Sequence, residues 1–342
     1  MNRVTIVGPW PRPTGGVSTF LSRLIKKDNG RLICELIDVY PGKKDEWKIE
    51  NITHNVTPFC GFMKWIWLWF RVSFSQGSVV HFNFSGANSL LFCLFPLRIN
   101  RAWILTLHNG NLKNPKGVIG LIYRIAINRF REVISLSEYQ REFYLSIGRN
   151  SVLESTSYIY HVEFSKIETE IYRSWRVKSA GFRNLFVASG YPTIIYNHFK
   201  TIEYVTRHNN SFLALFIYGP DTERLLETLL SFNKLKNCIV FYECSEIEFN
   251  DILSRSHVYL RPNKVDSFGI AIADAINLSL TVFASDVCKR YPGTHVFSSL
   301  DEYSKLIDTY IEDKNKIRPV NVKTGLDCYG ALMKTYHHAI IQ

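Results

Sequence analysis

Two carboxylates and a glycine in the last third of the chain have the spacing of a ligand-binding loop. Asp266 and Asp274 stand eight positions apart, with Gly269 between them. The residue types predict that a helix begins near Ser267, with Asp266 or Ser267 as its N-cap. The free backbone N–H groups of its first turn, beside small residues, would suit phosphate oxygens. Asp274 would then lie about two turns further on, within reach of a sugar hydroxyl.

A second candidate anion site lies near the N-terminus. Val4–Gly8 is predicted to be a buried strand, and Gly15-Gly16 would open a helix from Val17 to Lys27. A strand, a Gly-Gly turn and a helix N-terminus can bind an anion without a lysine. The loop lacks the G-x-G-x-x-G pattern, which disfavours a dinucleotide-dependent oxidoreductase. By itself it could equally be a plain connection between a strand and a helix.

Polar residues follow two further predicted strands. His81 lies near the end of Val79–Asn83 and is followed by Ser85, whereas His108 and Asn109 follow a strand that ends at Leu107. Open α/β sheets place ligand-binding groups at the carboxyl ends of their strands. A single histidine there is more often a structural hydrogen-bonding group than a catalyst, so both interpretations stay open.

The stretch Leu260–Asp286 carries a resemblance to a known family. It resembles the nucleotide-sugar signature of the family 4 retaining glycosyltransferases, which reads acid, seven residues, Glu, Ala, and later a strand ending in Ala-Ser-Asp. In this chain Asp266 and Asp274 take the acidic positions, followed by Ala275 and by Ala284-Ser285-Asp286. Aspartate at position 274 departs from the usual glutamate and is one methylene shorter.

The resemblance implies an α/β protein of the GT-B fold. Two Rossmann-like domains would each contain a parallel sheet, and the sheets would face an interdomain cleft. We expect an acceptor-side domain over residues 1–165 and a nucleotide-sugar-binding domain over residues 180–323. Residues 324–342 would form a C-terminal helix that could cross back to the first domain. The polar stretch from about Ser157 to Arg183 is interpreted as the linker.

Residue roles also follow from the resemblance. Asp266 would contact the donor sugar, and His108 would contact the sugar or the developing oxocarbenium ion, which makes these two the catalytic candidates. The donor-binding candidates are Gly15, Gly16, Arg261, Lys264, Ser267, Phe268, Gly269 and Asp274. The acceptor-side candidates are His81, Ser85 and Asn109. No metal or cofactor is expected, because helix dipoles and basic side chains would neutralise the leaving diphosphate.

One departure from the family concerns positive charge. Many members carry an arginine and a lysine after the first strand of the second domain, where they clamp the donor diphosphate. The corresponding region, Ser189–Asn197, contains no cation, and the next one is Lys200. Arg261 and Lys264 are the nearest substitutes for the charge that a leaving diphosphate needs.

The net charge of +11 is unevenly distributed, because no Asp or Glu occurs between Glu50 and Glu132. The cations of that interval are Lys64, Arg71, Arg98, Arg101, Lys113, Lys116, Arg124, Arg129 and Arg131. Such a one-signed region favours an anionic partner, and no nucleic-acid recognition motif accompanies it. The same interval holds the aromatic residues Phe62, Trp65, Trp67, Trp69 and Phe70. Charge and aromatics together predict an anionic membrane surface as the partner, although most of these rings could instead belong to the core.

The cysteine content, the N-terminal residues and the length of the apolar runs indicate a cytoplasmic protein that binds peripherally to the inner face of the membrane. The 342 residues have room for two domains, and the 7 cysteines lack zinc spacing, which is typical of a reducing compartment. A strand begins directly after the first residues, so no signal peptide is expected. The longest apolar run, Phe62–Phe74, is too short to span a bilayer.

The leading hypothesis is a retaining glycosyltransferase. It would move a hexosyl or N-acetylhexosaminyl group from a nucleotide diphosphate donor, a UDP-sugar in the first instance, to a lipid-linked saccharide. By family resemblance the setting would be bacterial polysaccharide, lipopolysaccharide or O-antigen synthesis. The alternative is a non-catalytic GT-B protein that binds a nucleotide-sugar, which the missing Arg/Lys pair and the Asp at position 274 keep open.

Overall fold

The structure of the protein, a computed structural model, consists of two compact units. They are Met1–His161 with Leu326–Gln342, and Val162–Gly325. The residues that the structure describes are 3–12, 15–42, 44, 49–94, 101–109, 112, 117–153, 157–320 and 326–341. Lys113, Lys116 and Arg98 of the predicted basic region therefore lie outside the described residues.

The first unit is built on a seven-stranded parallel sheet. Its strands are β1 (Val4–Gly8), β2 (Ile33–Asp38), β3 (Thr53–Val56), β4 (Val79–Phe84), β5 (Ala102–Leu107), β6 (Glu132–Ser135) and β7 (Val152–Leu153). Its helices before the second unit are α1 (Gly16–Asp28), α2 (Gly61–Ser73), α3 (Gly117–Ile127) and α4 (Glu138–Ser146), with a 3₁₀ helix over Ala87–Leu94. The strand order is β3-β2-β1-β4-β5-β6-β7. Strands β1, β2 and β4 are buried along their whole length, as expected of a parallel sheet covered on both faces.

The second unit repeats this architecture with a six-stranded parallel sheet. Its strands are β8 (Asn184–Gly190), β9 (Ser211–Ile217), β10 (Cys238–Tyr242), β11 (Val258–Arg261), β12 (Thr281–Ser285) and β13 (His295–Phe297). Its helices are α5 (Glu170–Ser179), α6 (His198–Thr206), α7 (Leu226–Ser231), α8 (Glu246–Leu253), α9 (Ile270–Asn277) and α10 (Leu300–Glu312). The strand order is β10-β9-β8-β11-β12-β13.

Each sheet has one point where the strand order reverses. In the first unit it lies between β1 and β4, and in the second between β8 and β11. At such a point the loops after two neighbouring strands diverge to opposite faces of the sheet and leave a crevice at the carboxyl edge. The crevice is the position where open α/β sheets bind ligands, so the topology alone selects the loops after these strands.

The last helix, α11 (Tyr329–Ile341), belongs to the first unit. The Tyr336 hydroxyl lies 2.6 Å from Nδ1 of His81 in the buried strand β4. Lys27 forms an ion pair with Asp327, just before the helix. These contacts attach the C-terminal segment to α1 and to the centre of the first sheet.

Several elements differ from the sequence interpretation. The polar stretch Ser157–Arg183, interpreted as an irregular linker, contains α5, whose first turn is capped by the Thr169 side chain. Residues 222–235 have a helical pattern, but α7 begins only at Leu226, where the Asp221 carboxylate accepts hydrogen bonds from the backbone N–H groups of Leu225 and Leu226. The elements β3, α3, α6, β13 and α10 were not expected from the sequence.

Candidate active site

The carboxyl edge of the second sheet brings together residues that the sequence spreads over about a hundred positions. Strand β8 ends at Gly190, β11 at Arg261 and β12 at Ser285. Strands β8 and β11 pair directly, with Leu260 opposite Ala188. Arg261 therefore lies beside the loop that follows β8, at the reversal of strand order.

A buried cluster of three charged side chains occupies this edge. Asp266 Oδ2 accepts hydrogen bonds from Nε of Arg261 at 2.7 Å and from Nη1 of Arg290 at 2.8 Å. Asp266 Oδ1 accepts from Nη2 of Arg261 at 3.1 Å. The exposed fractions of the three side chains are 8% for Arg261, 8% for Asp266 and 3% for Arg290. We call Arg261, Asp266 and Arg290 the charged triad.

The triad holds its carboxylate ionised. Burial alone would raise the pKa of Asp266, but the guanidinium groups of Arg261 and Arg290 outweigh burial and hold this pKa well below its usual range. Burial opposes the charge of Arg261 as well, but the neighbouring Asp266 raises the pKa of Arg261. One carboxylate and two guanidinium groups leave a formal charge of +1 inside the protein.

The expectation that Asp266 or Ser267 caps a helix is wrong. Helix α9 begins at Ile270, its N-cap is Gly269, and no side chain caps it. The Asp266 carboxylate instead binds the two arginines and the backbone N–H of Ser267 at 3.1 Å, so it is not available to cap the helix. Gly269 has φ of 83°, a left-handed conformation that favours glycine. A Cβ at this position would lie 3.2 Å from Nε of Arg261, so the loop packs closely on the triad.

The other predicted donor-binding residues of this unit surround the loop. Phe268 is buried, with its ring 6.2 Å from that of Tyr291. Asp274 lies inside α9 and is 2% exposed. Lys264 is exposed, and its backbone N–H donates to the carbonyl of Ile195 at 2.8 Å.

Aromatic residues fill the region where the family carries its cationic clamp. The Arg261 guanidinium lies 5.7 Å from the centre of the Tyr196 ring. A Cβ at Gly190 would lie 2.0 Å from Cδ1 of Tyr196, so only glycine leaves room for this ring. The Tyr259 hydroxyl lies 2.8 Å from the Ser189 hydroxyl. The loop after β8 thus packs on Arg261, which brings positive charge to this loop from the neighbouring strand.

In the first unit, Gly15 and Gly16 form an open helix N-terminus. Gly15 is the N-cap of α1, whose first turn contains no acidic residue. A Cβ at Gly16 would meet nothing within 4 Å. Gly8, at the end of β1, has the opposite environment, because a Cβ there would lie 2.4 Å from Cδ1 of Leu21. Close packing at Gly8 therefore sets the position of α1, and Gly16 at its start is exposed.

His108 lies at the carboxyl end of β5, as predicted. Its Nε2 lies 3.0 Å from Oδ1 of Asn83, and the Asn83 amide donates to the His81 carbonyl at 3.3 Å. Because the Asn83 amide nitrogen must be the donor, its oxygen accepts from Nε2–H of His108. Burial lowers the pKa of His108 to about 3, so the ring is neutral at physiological pH. A neutral ring with Nε2 protonated has Nδ1 as its acceptor, which suits a sugar hydroxyl.

The structure does not support His81 as an acceptor-side residue. Its side chain is fully buried, with Nδ1 at 2.6 Å from the Tyr336 hydroxyl and Nε2 at 2.8 Å from the Thr106 hydroxyl. Burial lowers the pKa of His81 to about 3. Both ring nitrogens are occupied within the core, and His81 attaches α11 to the sheet. Ser85 and Asn109, the other acceptor-side candidates, are exposed.

Sequence reasoning overlooked two residues at these edges. Arg290 stands outside the recognised motif, and nothing in the neighbouring sequence distinguishes this buried arginine from the many cations on the surface. Gln140 is fully buried and donates 2.9 Å hydrogen bonds to the carbonyls of Leu107 and Asn109. It fixes the loop that carries His108. The available signal was a glutamine three positions after Ser137, the N-cap of α4.

Comparison with solved structures identifies the architecture. The protein aligns with the Anabaena HepE structure in complex with UDP at a TM-score of 0.67 and 12% identity, over 99% of this chain and 98% of that one. It aligns with WaaG, a glycosyltransferase involved in lipopolysaccharide biosynthesis, at a TM-score of 0.62 and 14% identity, over 99% and 95%. The chain has the GT-B fold. Sucrose-phosphate synthase from Thermosynechococcus elongatus aligns at a TM-score of 0.69 and 13% identity, over 100% and 97%.

These similarities concern the GT-B fold, because the identities are low. No protein-family model matches the sequence, and no curated protein matches it. Membership of family 4 stays a prediction. Within the described ranges, no helix is both long and apolar enough to cross a membrane. Nor do three His, Cys, Asp or Glu side chains in those ranges come together as a metal site would require.

Proposed function

We propose that this GT-B protein is a retaining glycosyltransferase that uses a nucleotide diphosphate sugar, with UDP as the first candidate nucleotide. The observation that carries the proposal is the charged triad at the strand-order reversal of the second unit, next to the start of α9, which no side chain caps. Surplus positive charge and the N–H groups of a helix start without a side-chain cap together favour a diphosphate. The HepE structures with UDP and with UDP-glucose support this choice of donor.

Each group has a role in the proposed reaction. The bond between the anomeric carbon and the diphosphate oxygen breaks, a bond from that carbon to the acceptor hydroxyl oxygen forms, and the hydroxyl proton passes to the leaving diphosphate. Negative charge develops on the leaving diphosphate, where the first turn of α9 and the neighbouring guanidinium groups stabilise it. Asp274 binds the ribose, and Lys264 at the loop surface adds charge. Phe268 and Ser267 shape the loop.

In the first unit we propose roles for three residues. Gly15 and Gly16 begin α1, and a Cβ at Gly16 would meet no described atom within 4 Å, so this turn suits phosphate oxygens. His108 accepts a hydrogen bond from a sugar hydroxyl through Nδ1. Because its ring is neutral, it acts by hydrogen bonding and not as a cation.

A screen of donors tests the function. Purified protein is incubated with UDP-, GDP- and ADP-sugars, with and without a membrane lipid extract as acceptor, and nucleotide release is measured. We expect release with one nucleotide class, with the anomeric configuration kept in the product. Tight binding of a nucleotide-sugar without any turnover would favour the non-catalytic alternative. The absence of both binding and turnover would contradict the proposal.

The acceptor side of the proposal rests on an exposed apolar face of the first unit. Helices α2 and α3 and the 3₁₀ helix Ala87–Leu94 cover one hydrophobic core. The exposed apolar residues of these helices are Phe62, Met63, Ile66, Phe70, Leu91, Val118, Ile119, Leu121 and Ile125. We call this set the apolar face. Trp65 and Phe92 join two of the helices, with ring centres 5.6 Å apart. Trp65, Trp67 and Trp69 are partly buried against the core, as the more conservative interpretation held.

Cations border the apolar face. Lys64 lies 4.8 Å from the Trp65 ring, and Arg124 is exposed on α3. Arg71 differs, because it forms a 3.3 Å ion pair with the buried Glu35. Apolar side chains with bordering cations fit the surface of an anionic bilayer. We therefore propose that the protein docks on anionic membrane and glycosylates a lipid-linked saccharide in bacterial polysaccharide synthesis.

Vesicle binding checks the docking surface. Wild-type protein should sediment with phosphatidylglycerol vesicles at low salt and be released as salt rises, because each cation contributes about 1 kcal/mol and is screened. Replacing Phe62 and Phe70 by serine, or Lys64 and Arg124 by glutamate, should abolish sedimentation without changing hydrolysis of the free donor. The matched control is Ile167→Ser with Val177→Ser, which removes two exposed apolar residues of the second unit. Equal binding to neutral phosphatidylcholine, or no effect of either pair, would contradict the assignment.

A further inference from the structure

The hydrogen bonds of Asp266 leave it little capacity to bind a sugar. Its Oδ1 accepts from Nη2 of Arg261 and from the Ser267 N–H, both at 3.1 Å. Its Oδ2 accepts from Nε of Arg261 at 2.7 Å and from Nη1 of Arg290 at 2.8 Å. An ionised carboxylate offers about four lone-pair positions, and all of them are in use. A sugar hydroxyl would have to displace a charge-assisted bond, which is roughly twice as strong as a neutral one.

Arg290 is held as rigidly as Arg261. Its Nε donates to the Ser285 carbonyl at 2.8 Å, and its Nη2 donates to the Ser285 hydroxyl at 3.1 Å. Its Nη1 also lies 3.5 Å from the Phe268 carbonyl, in the loop that leads into α9. The end of β12 therefore fixes this guanidinium against the loop where the proposed diphosphate site lies.

The triad has more positive charge than its own carboxylate can compensate. Burying an uncompensated charge is unfavourable, so a buried cluster of charge +1 favours an anion beside it. Arg261 stands next to the loop after β8, where Ser189–Asn197 contains no cation. The charge that this loop lacks is thus present at the end of β11 and in the loop that follows β12.

We propose that Asp266 is a positioning residue that holds Arg261 and Arg290 as one cationic site, and that this site binds the diphosphate of the donor. The inference rests on the proposed function for the identity of the ligand. It replaces the expectation that Asp266 contacts the donor sugar. It also adds Arg290 to the binding site.

Inorganic pyrophosphate and UDP are the probes that test the site. Arg290→Gln removes the surplus charge and leaves the neutral Arg261–Asp266 pair, so the variant should fold. We expect its affinity for both probes, measured by calorimetry, to fall about tenfold or more, the size of a lost charge-assisted contact. Arg290→Lys should recover part of the loss. The matched control is Arg207→Gln, which removes an arginine paired with Asp308 on the surface of the same unit and should bind like wild type.

Asp266→Asn distinguishes the two roles of the carboxylate. A positioning role predicts that UDP and UDP-glucose lose affinity by the same factor, because the defect lies at the diphosphate. Unchanged UDP affinity with weakened UDP-glucose binding would show a direct sugar contact and overturn the inference, as would wild-type pyrophosphate affinity in Arg290→Gln. If pyrophosphate binding depends on Arg290 but no nucleotide-sugar is turned over, the proposed function fails and the anion site stands.

Discussion

Replacing Asp266 by alanine should lower the free energy of unfolding of the second unit by about 3–5 kcal/mol, the usual cost of removing one partner of a buried ion pair. Two guanidinium groups would remain buried side by side, with no carboxylate between them. Chemical denaturation of wild type and variant, followed by a probe of the second unit, measures the difference. The double variant Asp266→Ala with Arg290→Gln should recover part of the loss, because one of the two unpaired charges is gone.

The difference in unfolding free energy between wild type and Asp266→Ala should also depend on pH. The folded-state pKa of Asp266 lies below its ordinary value of 3.8. Its stabilising contribution is therefore fully present above about pH 4 and is lost as the pH falls further toward the folded-state pKa. The stability difference between wild type and Asp266→Ala should be constant from pH 7 to about pH 5 and shrink below about pH 4. A difference that does not change at low pH would show that the charge of Asp266 is not what stabilises the loop.

Arg261→Ala should lower turnover about a hundredfold or more, because charge that stabilises a leaving group acts mainly in the transition state. Arg261 is the buried cation at the strand-order reversal, and its Nε and Nη2 are fixed by Asp266. Steady-state rates of nucleotide release measure the effect, at a temperature where thermal denaturation shows the variant to be folded.

Lys264→Ala is the natural comparison, because Lys264 was the other candidate for the missing clamp. The Lys264 side chain is exposed and is not bound by the triad. We therefore expect Lys264→Ala to lower turnover much less than Arg261→Ala does. Equal losses would place both cations at the leaving group. Near wild-type turnover in Arg261→Ala would remove the triad from the chemistry.

The strands that are buried on both faces of the sheet were predictable from the sequence. Val4–Gly8 and Thr281–Ser285 are apolar, rich in β-branched residues and buried along their length, and these features suffice to predict a parallel strand. Elements that depend on tertiary contacts were not predictable. The short edge strand β3 pairs only with β2, and its four residues include a histidine and an asparagine.

The sequence singled out residues of the candidate site but did not predict their hydrogen bonds. Motif spacing identified Asp266, Gly269 and Asp274, but the spacing favoured a helix that starts at Ser267. Helix α9 starts at Ile270, and the Asp266 carboxylate binds Arg290, which lies 24 positions away in the chain and comes near because β12 adjoins β11. The Nδ1 atom of His81 is occupied by the hydroxyl of Tyr336, which lies 255 positions away in the chain. Contacts at such separations are set by the sheet order and leave no local trace.

The most direct test of the central claim is a crystal structure of the protein with bound UDP. We predict that the phosphate oxygens lie within hydrogen-bonding distance of the backbone N–H groups at the start of α9 and beside the guanidinium groups of Arg261 and Arg290. The ribose should contact Asp274. A UDP molecule bound elsewhere, with the triad untouched, would contradict the account.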